Sequence, residues 1–168
     1  MAHESLHAYW RMPYIKEPVV KGGERKNPFL KVLEANDPKS VLLVYRSSMS
    51  FIVMNKFPYN AGHLLCLPNR EVADIEDLGP DESADLWNTI LKAKKLLRLT
   101  LAPNAFNIGF NIGDSAGAGI PSHLHCHVVP RWSGDTNFMP VVSNTRVLPE
   151  AMDTLWERLQ EFVPEIED

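Results

Sequence analysis

The sequence predicts an α+β protein: an antiparallel sheet of about five strands, with one long helix and a C-terminal helix packed on one side of it. Two observations point to this class. Short apolar runs rich in β-branched and aromatic residues come in pairs, which is typical of antiparallel hairpins. A single amphipathic stretch, at residues 80–99, separates the first group of runs from the second. Strands and helices therefore do not alternate as they do in a parallel sheet built from βαβ units.

The composition is that of a single globular domain. The chain has 168 residues, of which 45% are hydrophobic, and this length suffices for a core without disulfides or a structural metal. The formal charge is −4 and no long Lys/Arg run occurs, which excludes binding to duplex DNA by neutralisation of many phosphates. No apolar stretch reaches the roughly 18 to 20 residues of a membrane span, and residues 1–10 lack the apolar core of a signal peptide. We therefore expect a cytoplasmic protein with neither nucleic acid nor membrane as a partner.

The N-terminal residues differ in composition from the rest. Residues 1–26 are polar and contain two prolines and a Gly-Gly pair, so they are predicted to form an extended arm. Residues 27–168 are predicted to form one domain. This domain opens with Asn27, a favoured N-cap, and with Pro28 at the first position of a short helix that ends near Asn36.

The remaining elements follow from hydrophobic periodicity. Strands are predicted at residues 41–45, 51–54, 63–67, 105–112 and 123–129. The long helix starts at Pro80, with acidic residues in its first turn where the helix dipole favours them. The last helix is predicted to begin near Pro149 and Glu150. Because Cys66 and Cys126 fall inside apolar strands and match no zinc-knuckle spacing, we expect both thiols to pack in the core of a protein from a reducing compartment.

Half of the six histidines lie in one strand candidate, at His123, His125 and His127. Successive side chains of a strand face opposite sides, so the three imidazoles are predicted to share one face while the residues between them enter the core. A central imidazole that is neutral at pH 7 can attack phosphorus, and its neighbours can donate hydrogen bonds or protons to the phosphoryl oxygens and the leaving group. The pattern therefore favours nucleophilic catalysis with His125 as the nucleophile.

Two other interpretations of the three histidines stay open. They could lie on a half-exposed strand face without a function, although Thr, Lys or Glu would suit such a face better. Two of them could also bind zinc together with His63 and a carboxylate. However, His123 and His127 are about 13 Å apart along a strand, which is too far for all three to share one ion. No acidic residue lies beside the triplet in the sequence.

The segment before the triplet is rich in glycine, with Gly113, Gly117 and Gly119. Glycines let backbone N–H groups turn toward an anion, which would suit an acidic protein that binds phosphate without a basic side chain. Glycine-rich hairpin loops are common, so this feature points to phosphate only because the histidines are adjacent.

The run His123-Leu124-His125-Cys126-His127-Val128-Val129 resembles the His-φ-His-φ-His-φ-φ signature of the histidine triad (HIT) superfamily of nucleotide hydrolases and transferases. Residues 55–68 resemble the family's first nucleotide-binding segment, and the similarity extends over residues 40–140. The long helix followed by the tail at residues 128–138 resembles the fragile-histidine-triad branch, especially bacterial members described as diadenosine tetraphosphate phosphorylases. The resemblance implies a HIT-like fold and a homodimer whose sheets join into one.

The resemblance also implies roles for individual residues. His125 would attack the α-phosphorus and form a nucleotidyl-histidine intermediate, while His127 and His123 would contact phosphate oxygens and assist the leaving group. Further implied site residues are His63, Asn55 at the ribose, Asn111 at the start of the phosphate loop, and Leu65 with apolar residues near Phe51 around the base. Trp132 is either a substrate contact or an ordinary buried or interface tryptophan.

Two segments depart from the family pattern. Many relatives carry a zinc-binding cysteine pair near the N-terminus, whereas the corresponding residues here are Asn27-Pro28-Phe29-Leu30, so we expect no bound metal. Relatives also place Gln and Ser or Thr before the triad to hold bridging phosphates. This chain has Gly119-Ile120-Pro121-Ser122 instead, and the backbone N–H of Gly119 or the hydroxyl of Ser122 is expected to substitute.

The leading functional hypothesis is an enzyme that cleaves dinucleoside polyphosphates, such as diadenosine tetraphosphate, at the α-phosphate with phosphate or water as the acceptor. A nucleoside phosphoramidase, which acts on a P–N bond, is the second hypothesis. A third is a nucleotide-binding signalling module with slow turnover, which would not need a nucleophile. We expect no cofactor bound by the protein itself. Any Mg²⁺ would enter with the substrate phosphates, since the sequence offers no obvious carboxylate cage.

Overall fold

The structure, a computed structural model, describes residues 27–136 and 150–167. In these ranges the helices are α1 (Pro28–Glu34), α2 (Pro80–Leu101) and α3 (Met152–Phe162). The strands are β1 (Leu43–Arg46), β2 (Ser50–Met54), β3 (Leu64–Pro68), β4 (Ala105–Phe110) and β5 (Cys126–Arg131). The predicted N-terminal arm, residues 1–26, lies outside the described residues, so the arm and the domain boundary at residue 27 stay predictions.

All five strands form one antiparallel sheet in the order β1-β2-β3-β5-β4. The α+β class and the antiparallel sheet predicted from the sequence are therefore confirmed. β4 and β5 follow each other in the chain, yet β5 lies between β3 and β4, so the last strand is inside the sheet rather than at its edge. This order places Leu65 of β3 and Gly109 of β4 on either side of His127 in β5.

Both faces of the sheet pack against helices, and β2 and β3 are buried along their whole length. On one face, a large core joins the sheet to α2 and α3, and its buried members include Ile52, Leu64, Cys66, Leu97 and Leu159. On the other face, a smaller core contains Val32 of α1 together with Phe51, Val53, Leu65 and Leu67. The sequence predicted helices on one side of the sheet only. The position of α1 corrects this, because the alternating residues of β2 and β3 are apolar on both sides and require a cover on each.

The long helix α2 begins at the predicted residue and continues slightly further than predicted, to Leu101. At its start the Glu82 carboxylate accepts a hydrogen bond from the backbone N–H of Gly79 at 2.9 Å. The same carboxylate pairs with the Arg70 guanidinium at 2.7 Å. The hydrogen bond from Arg70, followed by that from Gly79, lowers the pKa of Glu82 to about 2. The helix start is thus fixed by an ionised side chain over a wide range of pH.

The C-terminal helix α3 completes the large core, in which its Leu159 is fully buried. The helix begins at Met152, shortly after the start predicted near Glu150, while Pro149 lies outside the described residues. Glu150 instead forms an ion pair with Arg158 of the helix at 2.8 Å.

Cys66 of β3 and Cys126 of β5 lie directly opposite each other in the sheet. Both are fully buried free thiols, so the predicted packing role is confirmed. Burial raises the pKa of Cys66 well above its ordinary value and that of Cys126 to about 12. Both thiols therefore stay protonated at neutral pH.

Candidate active site

β5 begins at Cys126, so the prediction that the strand includes the first two histidines of the triad is wrong. Before the strand, the N–H of Leu124 donates to the carbonyl of Val72 at 2.6 Å. The side chain of His125 also donates, from Nδ1 to the carbonyl of His123 at 2.8 Å. Residues 123–125 are therefore held by these contacts instead of by backbone hydrogen bonds to a neighbouring strand. The predicted alternation of side-chain direction is still present, since the residues that alternate with the histidines, Leu124, Cys126 and Val128, are buried in the large core.

His125 has one ring nitrogen held by the backbone and one available to a substrate. A carbonyl oxygen can only accept, so Nδ1 of His125 carries the proton in its hydrogen bond to His123. In the neutral ring Nε2 then holds a lone pair, and no residue in the described part of the chain donates a hydrogen bond to it. Burial lowers the pKa of His125 below its ordinary value, against the opposing effect of the His123 carbonyl. His125 is therefore neutral at pH 7, the form that a nucleophile requires.

His123 is fully buried, and both of its ring nitrogens are bonded within the protein. Nε2 donates to the carbonyl of Pro68 at 2.8 Å, and Nδ1 accepts from the side-chain amide of Asn27 at 2.8 Å. Burial lowers the pKa of His123, so the ring is neutral at pH 7. The phosphate contact implied for His123 by the family resemblance is not available in this geometry, because neither nitrogen is left to make it.

His63 and His127 form a hydrogen-bonded pair between β3 and β5. The backbone N–H of Tyr59 donates to Nδ1 of His63 at 3.0 Å, so a neutral His63 carries its proton on Nε2. This Nε2 lies 2.9 Å from Nδ1 of His127 and donates to it. A neutral His127 therefore carries its own proton on Nε2, which lies 3.4 Å from Nδ2 of Asn111. Two N–H groups cannot bond each other, so this protonation requires the Asn111 amide to be turned over, with its oxygen toward Nε2.

The rings of three predicted catalytic histidines lie in contact. The ring centroids of His125 and His127 are 5.1 Å apart, as are those of His63 and His127. Tyr59 covers the second pair, since its ring stacks on His127 at 5.4 Å with an interplanar angle of 18° and contacts His63 at 4.5 Å. The structure therefore brings the nucleophile candidate, the neighbouring triad member and the additional histidine into one cluster, which we call the histidine cluster.

The residues expected around the ribose and base lie close to this cluster. The side-chain nitrogen of Asn55 is 3.2 Å from Nδ1 of His63, while its oxygen accepts the N–H of Phe57 at 2.9 Å. Leu65 pairs with His127 across the strands and is 5% exposed. Phe51 is fully buried in the smaller core, so it has no exposed surface to offer a base. Of the predicted apolar wall, Leu65 therefore lies beside the histidine cluster, whereas Phe51 itself is enclosed in the smaller core.

The glycine-rich loop uses several N–H groups internally. Those of residues 116–118 donate to carbonyls at the start of the same loop, at 2.9 to 3.3 Å. The N–H of Gly119 makes no hydrogen bond to any described residue. The hydroxyl of Ser122 donates to the Glu71 carboxylate at 2.8 Å. Of the two groups expected to hold bridging phosphates, the Gly119 N–H is therefore available, whereas the Ser122 hydroxyl is committed to a carboxylate.

Trp132 does not join the histidine cluster of its own chain. It follows the last residue of β5, and about 17 Å of extended backbone separates it from His127. Its backbone N–H donates to Asp135 at 3.1 Å. The structure therefore gives the expected substrate contact of Trp132 no support within one chain.

In residues 27–136 and 150–167, no three His, Cys, Asp or Glu side chains are grouped so that they could hold a metal ion. No helix in these ranges combines the length and apolar character needed to cross a bilayer.

The family model for the HIT domain matches residues 36–134 of the chain. The chain belongs to the HIT family. The resemblance noted from the triad and from residues 55–68 is therefore confirmed, since both segments lie inside the matched range.

Similar proteins include named enzymes and solved HIT structures. An AP-4-A phosphorylase of Mycobacterium tuberculosis is 38% identical over 154 residues, which cover 89% of this chain and 78% of that protein. An asymmetrical bis(5'-nucleosyl)-tetraphosphatase of Schizosaccharomyces pombe is 34% identical over 98 residues, which cover 58% of this chain and 53% of that protein. A Zn-bound histidine triad family protein from Mycobacterium smegmatis superposes with a TM-score of 0.68 at 22% identity, covering 86% of this chain and 98% of that one. At this identity the superposition shows the shared HIT fold.

Three residues of this HIT site were not predicted from the sequence as site residues. Asn27 was visible only as a helix cap, and nothing local indicates its bond to His123, 96 residues away. Phe29 lies 5.6 Å from the rings of both His123 and His125, but the sequence indicated it only as part of residues 27–30, where many relatives carry a zinc-binding cysteine pair. Tyr59 lies inside residues 55–68, which resemble the family's nucleotide-binding segment, so its position four residues before His63 was a usable signal.

Proposed function

We propose that this HIT protein cleaves dinucleoside polyphosphates by transferring a nucleotidyl group from the α-phosphate to phosphate or water. The observation that carries the proposal is the geometry of His125, whose Nδ1–H is held by a carbonyl while Nε2 keeps its lone pair. The lowered pKa of His125 supports a neutral nucleophile. The names of two relatives, AP-4-A phosphorylase and asymmetrical bis(5'-nucleosyl)-tetraphosphatase, support a dinucleoside tetraphosphate as the substrate.

In the first step, Nε2 of His125 attacks the α-phosphorus and forms a P–N bond. The P–O bond to the bridging oxygen breaks, and its electron pair leaves with the rest of the polyphosphate. The ring gains positive charge, which strengthens the hydrogen bond from Nδ1–H to the carbonyl of His123. With diadenosine tetraphosphate, the leaving group is ATP and the enzyme holds AMP on His125.

In the second step, an oxygen of the acceptor attacks the same phosphorus. The P–N bond breaks and returns its electron pair to Nε2, so His125 is neutral again. Orthophosphate as the acceptor yields ADP, whereas water yields AMP and releases a proton to solvent. The products therefore distinguish a phosphorylase from a hydrolase.

His127 is proposed to donate a hydrogen bond from Nε2 to the phosphoryl and leaving oxygens. Its ring is 5.1 Å from that of His125, so a phosphate bonded to the nucleophile lies beside it. His63 is a positioning residue in this scheme, since its Nε2–H fixes the proton of His127 on the nitrogen that faces Asn111. An imidazole donor held in place before reaction needs little reorganisation when charge develops on oxygen.

The test is to incubate diadenosine tetraphosphate with the protein, with and without orthophosphate, and to separate the nucleotides by anion-exchange chromatography. We expect ADP and ATP in the presence of phosphate, and His125→Ala is expected to remove turnover. The acid limb of kcat/KM should lie below pH 6.5, because protonation of the nucleophile abolishes its lone pair. Full activity of His125→Ala would overturn the covalent mechanism. Turnover of an adenosine phosphoramidate without turnover of the tetraphosphate would overturn the substrate assignment.

A homodimer that joins the sheets through β4 is also proposed. β4 is at the end of the sheet order, and its Ile108 is 42% exposed. α2 also has two exposed apolar side chains one turn apart, Trp87 at 59% and Leu91 at 48% exposed, which the dimer is proposed to cover. Light scattering after gel filtration should give about twice the 19.0 kDa mass of the chain, and Ile108→Lys should shift the protein toward the monomer.

Two further expectations complete the proposal. Mg²⁺, where it assists, is proposed to enter with the substrate polyphosphate rather than as a resident ion, so EDTA should slow turnover without changing the fold. The two free buried thiols support a reducing compartment, and we propose the cytoplasm.

A further inference from the structure

We infer that Asn27 is a positioning residue for the nucleophile: through His123 it fixes the backbone carbonyl that holds Nδ1 of His125. The inference rests on the proposed function of His125 and adds a residue 98 positions away from it in the sequence. Asn27 makes no hydrogen bond to the nucleophile or to the histidine pair in the described structure. It acts on His125 through the side chain and the backbone carbonyl of His123.

The connection consists of three consecutive hydrogen bonds. The amide nitrogen of Asn27 donates to Nδ1 of His123 at 2.8 Å, and Nε2 of His123 donates to the carbonyl of Pro68 at 2.8 Å. The His123 ring is thus held at both ends, between the start of α1 and the end of β3. Its own carbonyl then accepts Nδ1–H of His125 at 2.8 Å.

Asn27 and the Pro68 carbonyl together determine the tautomer of His123. An amide N–H can only donate, so it requires the lone pair on Nδ1 and leaves the proton on Nε2 for the Pro68 carbonyl. Without the amide, the buried Nδ1 loses its donor, and the ring can turn or exchange its proton. Either change moves the backbone of His123, because the ring and the carbonyl belong to the same short segment before β5.

The same asparagine ties helix α1 to this segment. Oδ1 of Asn27 accepts the N–H of Phe29 at 3.0 Å and so caps the helix. Phe29 in turn contacts the rings of His123 and His125, each at 5.6 Å. One side chain, which is 7% exposed, therefore caps a helix with its oxygen and positions a histidine with its nitrogen. These two tasks can be separated by substitution.

The test compares two variants that keep the cap. Asn27→Ser retains a capping oxygen but is too short to reach His123, whereas Asn27→Asp keeps the length and replaces the donor by an acceptor. Asp37→Ala is the control, since Asp37 also accepts a backbone N–H, from Lys39 at 3.0 Å, on an exposed turn without contact to the site. Imidazole ¹⁵N shifts report the tautomers of His123 and His125 in the full chain without substrate. Steady-state kinetics with diadenosine tetraphosphate then report kcat and KM separately.

For Asn27→Ser we expect a mixture of tautomers at His125 and a fall in kcat on the order of tenfold, with KM little changed. For Asn27→Asp we expect His123 to become doubly protonated, since both of its nitrogens would then face acceptors. Asp37→Ala should leave both readouts unchanged. The inference is overturned if Asn27→Ser keeps the wild-type ¹⁵N pattern of His125, or if Asn27→Asp leaves His123 neutral.

The two readouts keep this inference separate from the proposed function. The ¹⁵N shifts need no substrate, so they test the positioning role even if the wild-type protein does not cleave the tetraphosphate. Conversely, the wild-type protein could give the expected products while Asn27→Ser keeps the wild-type ¹⁵N shifts of His125. That result would support the proposed function and refute the positioning role of Asn27.

Discussion

Replacing Gly62 with alanine is expected to lower the free energy of unfolding by about 2 to 3 kcal/mol. Gly62 has φ of +72°, a region that costs an L-residue about 1 kcal/mol. A methyl group there would lie 2.5 Å from Cδ1 of Leu101, 3.1 Å from Cδ2 of Leu97 and 3.2 Å from Cγ of Pro130. The half-buried Leu101 can rotate away, but the fully buried Leu97 and the proline ring of β5 cannot. Overpacking therefore adds about 1 to 2 kcal/mol.

Urea unfolding at pH 7, followed by tryptophan fluorescence, measures this loss, and Gly134→Ala is the matched control. Gly134 has φ of +80°, yet an added Cβ would meet nothing within 4 Å, so only the backbone cost of about 1 kcal/mol is expected there. Both variants should keep the wild-type m-value, because the surface exposed on unfolding is the same. Equal losses for the two variants would refute the packing argument.

Three further predictions concern pH, the histidine pair and the core. Arg131 donates two hydrogen bonds to Asp135, at 2.6 and 2.8 Å, and thereby lowers the pKa of Asp135 to about 2. This pair therefore stabilises the fold fully above a pH of about 4, and its contribution is lost as the pH falls through 2. Asp135→Asn should accordingly cost about 1 kcal/mol in urea unfolding at pH 7 and clearly less near pH 2, where the carboxyl of the folded protein is partly protonated. His63→Phe should lower kcat on the order of tenfold, because the proton of His127 loses its fixed position; an unchanged kcat would argue against that role. Leu159→Ala should cost about 2 to 4 kcal/mol, since Leu159 is fully buried, and the same nucleotide products should still form.

Local patterns in the sequence were sufficient for the elements and for the identity of the histidine cluster. The start of the long helix at Pro80 follows from the proline and acidic first turn, and the burial of Leu124 and Cys126 follows from alternation with the histidines. The sheet order could not be predicted in this way. β5 lies between β3 and β4 because it pairs with both, and periodicity within one strand does not specify its neighbours.

The start of β5 shows the same limit at the level of single residues. The alternation at residues 123–129 suits a strand, but the structure holds the first residues through Val72, Asn27 and Pro68, which are distant in sequence. These tertiary contacts override a pattern that is correct for side-chain direction and incorrect for backbone pairing. The two partners of the His123 ring could not be predicted for the same reason, since neither Asn27 nor Pro68 has a local signature.

The paired thiols of Cys66 and Cys126 make the opening of the catalytic site chemically measurable. Alkylating reagents react with exposed thiolates, and these two groups are enclosed and protonated while β3 and β5 remain paired. β3 follows His63 directly, and β5 carries His127, so separation of these strands would also separate the histidine pair. Under conditions where closing is faster than labelling, the labelling rate reports the population of the open form. A nucleotide that bridges the two strands should slow that rate, so mass spectrometry of alkylated protein can report the fraction of molecules in which the two sides of the site have separated.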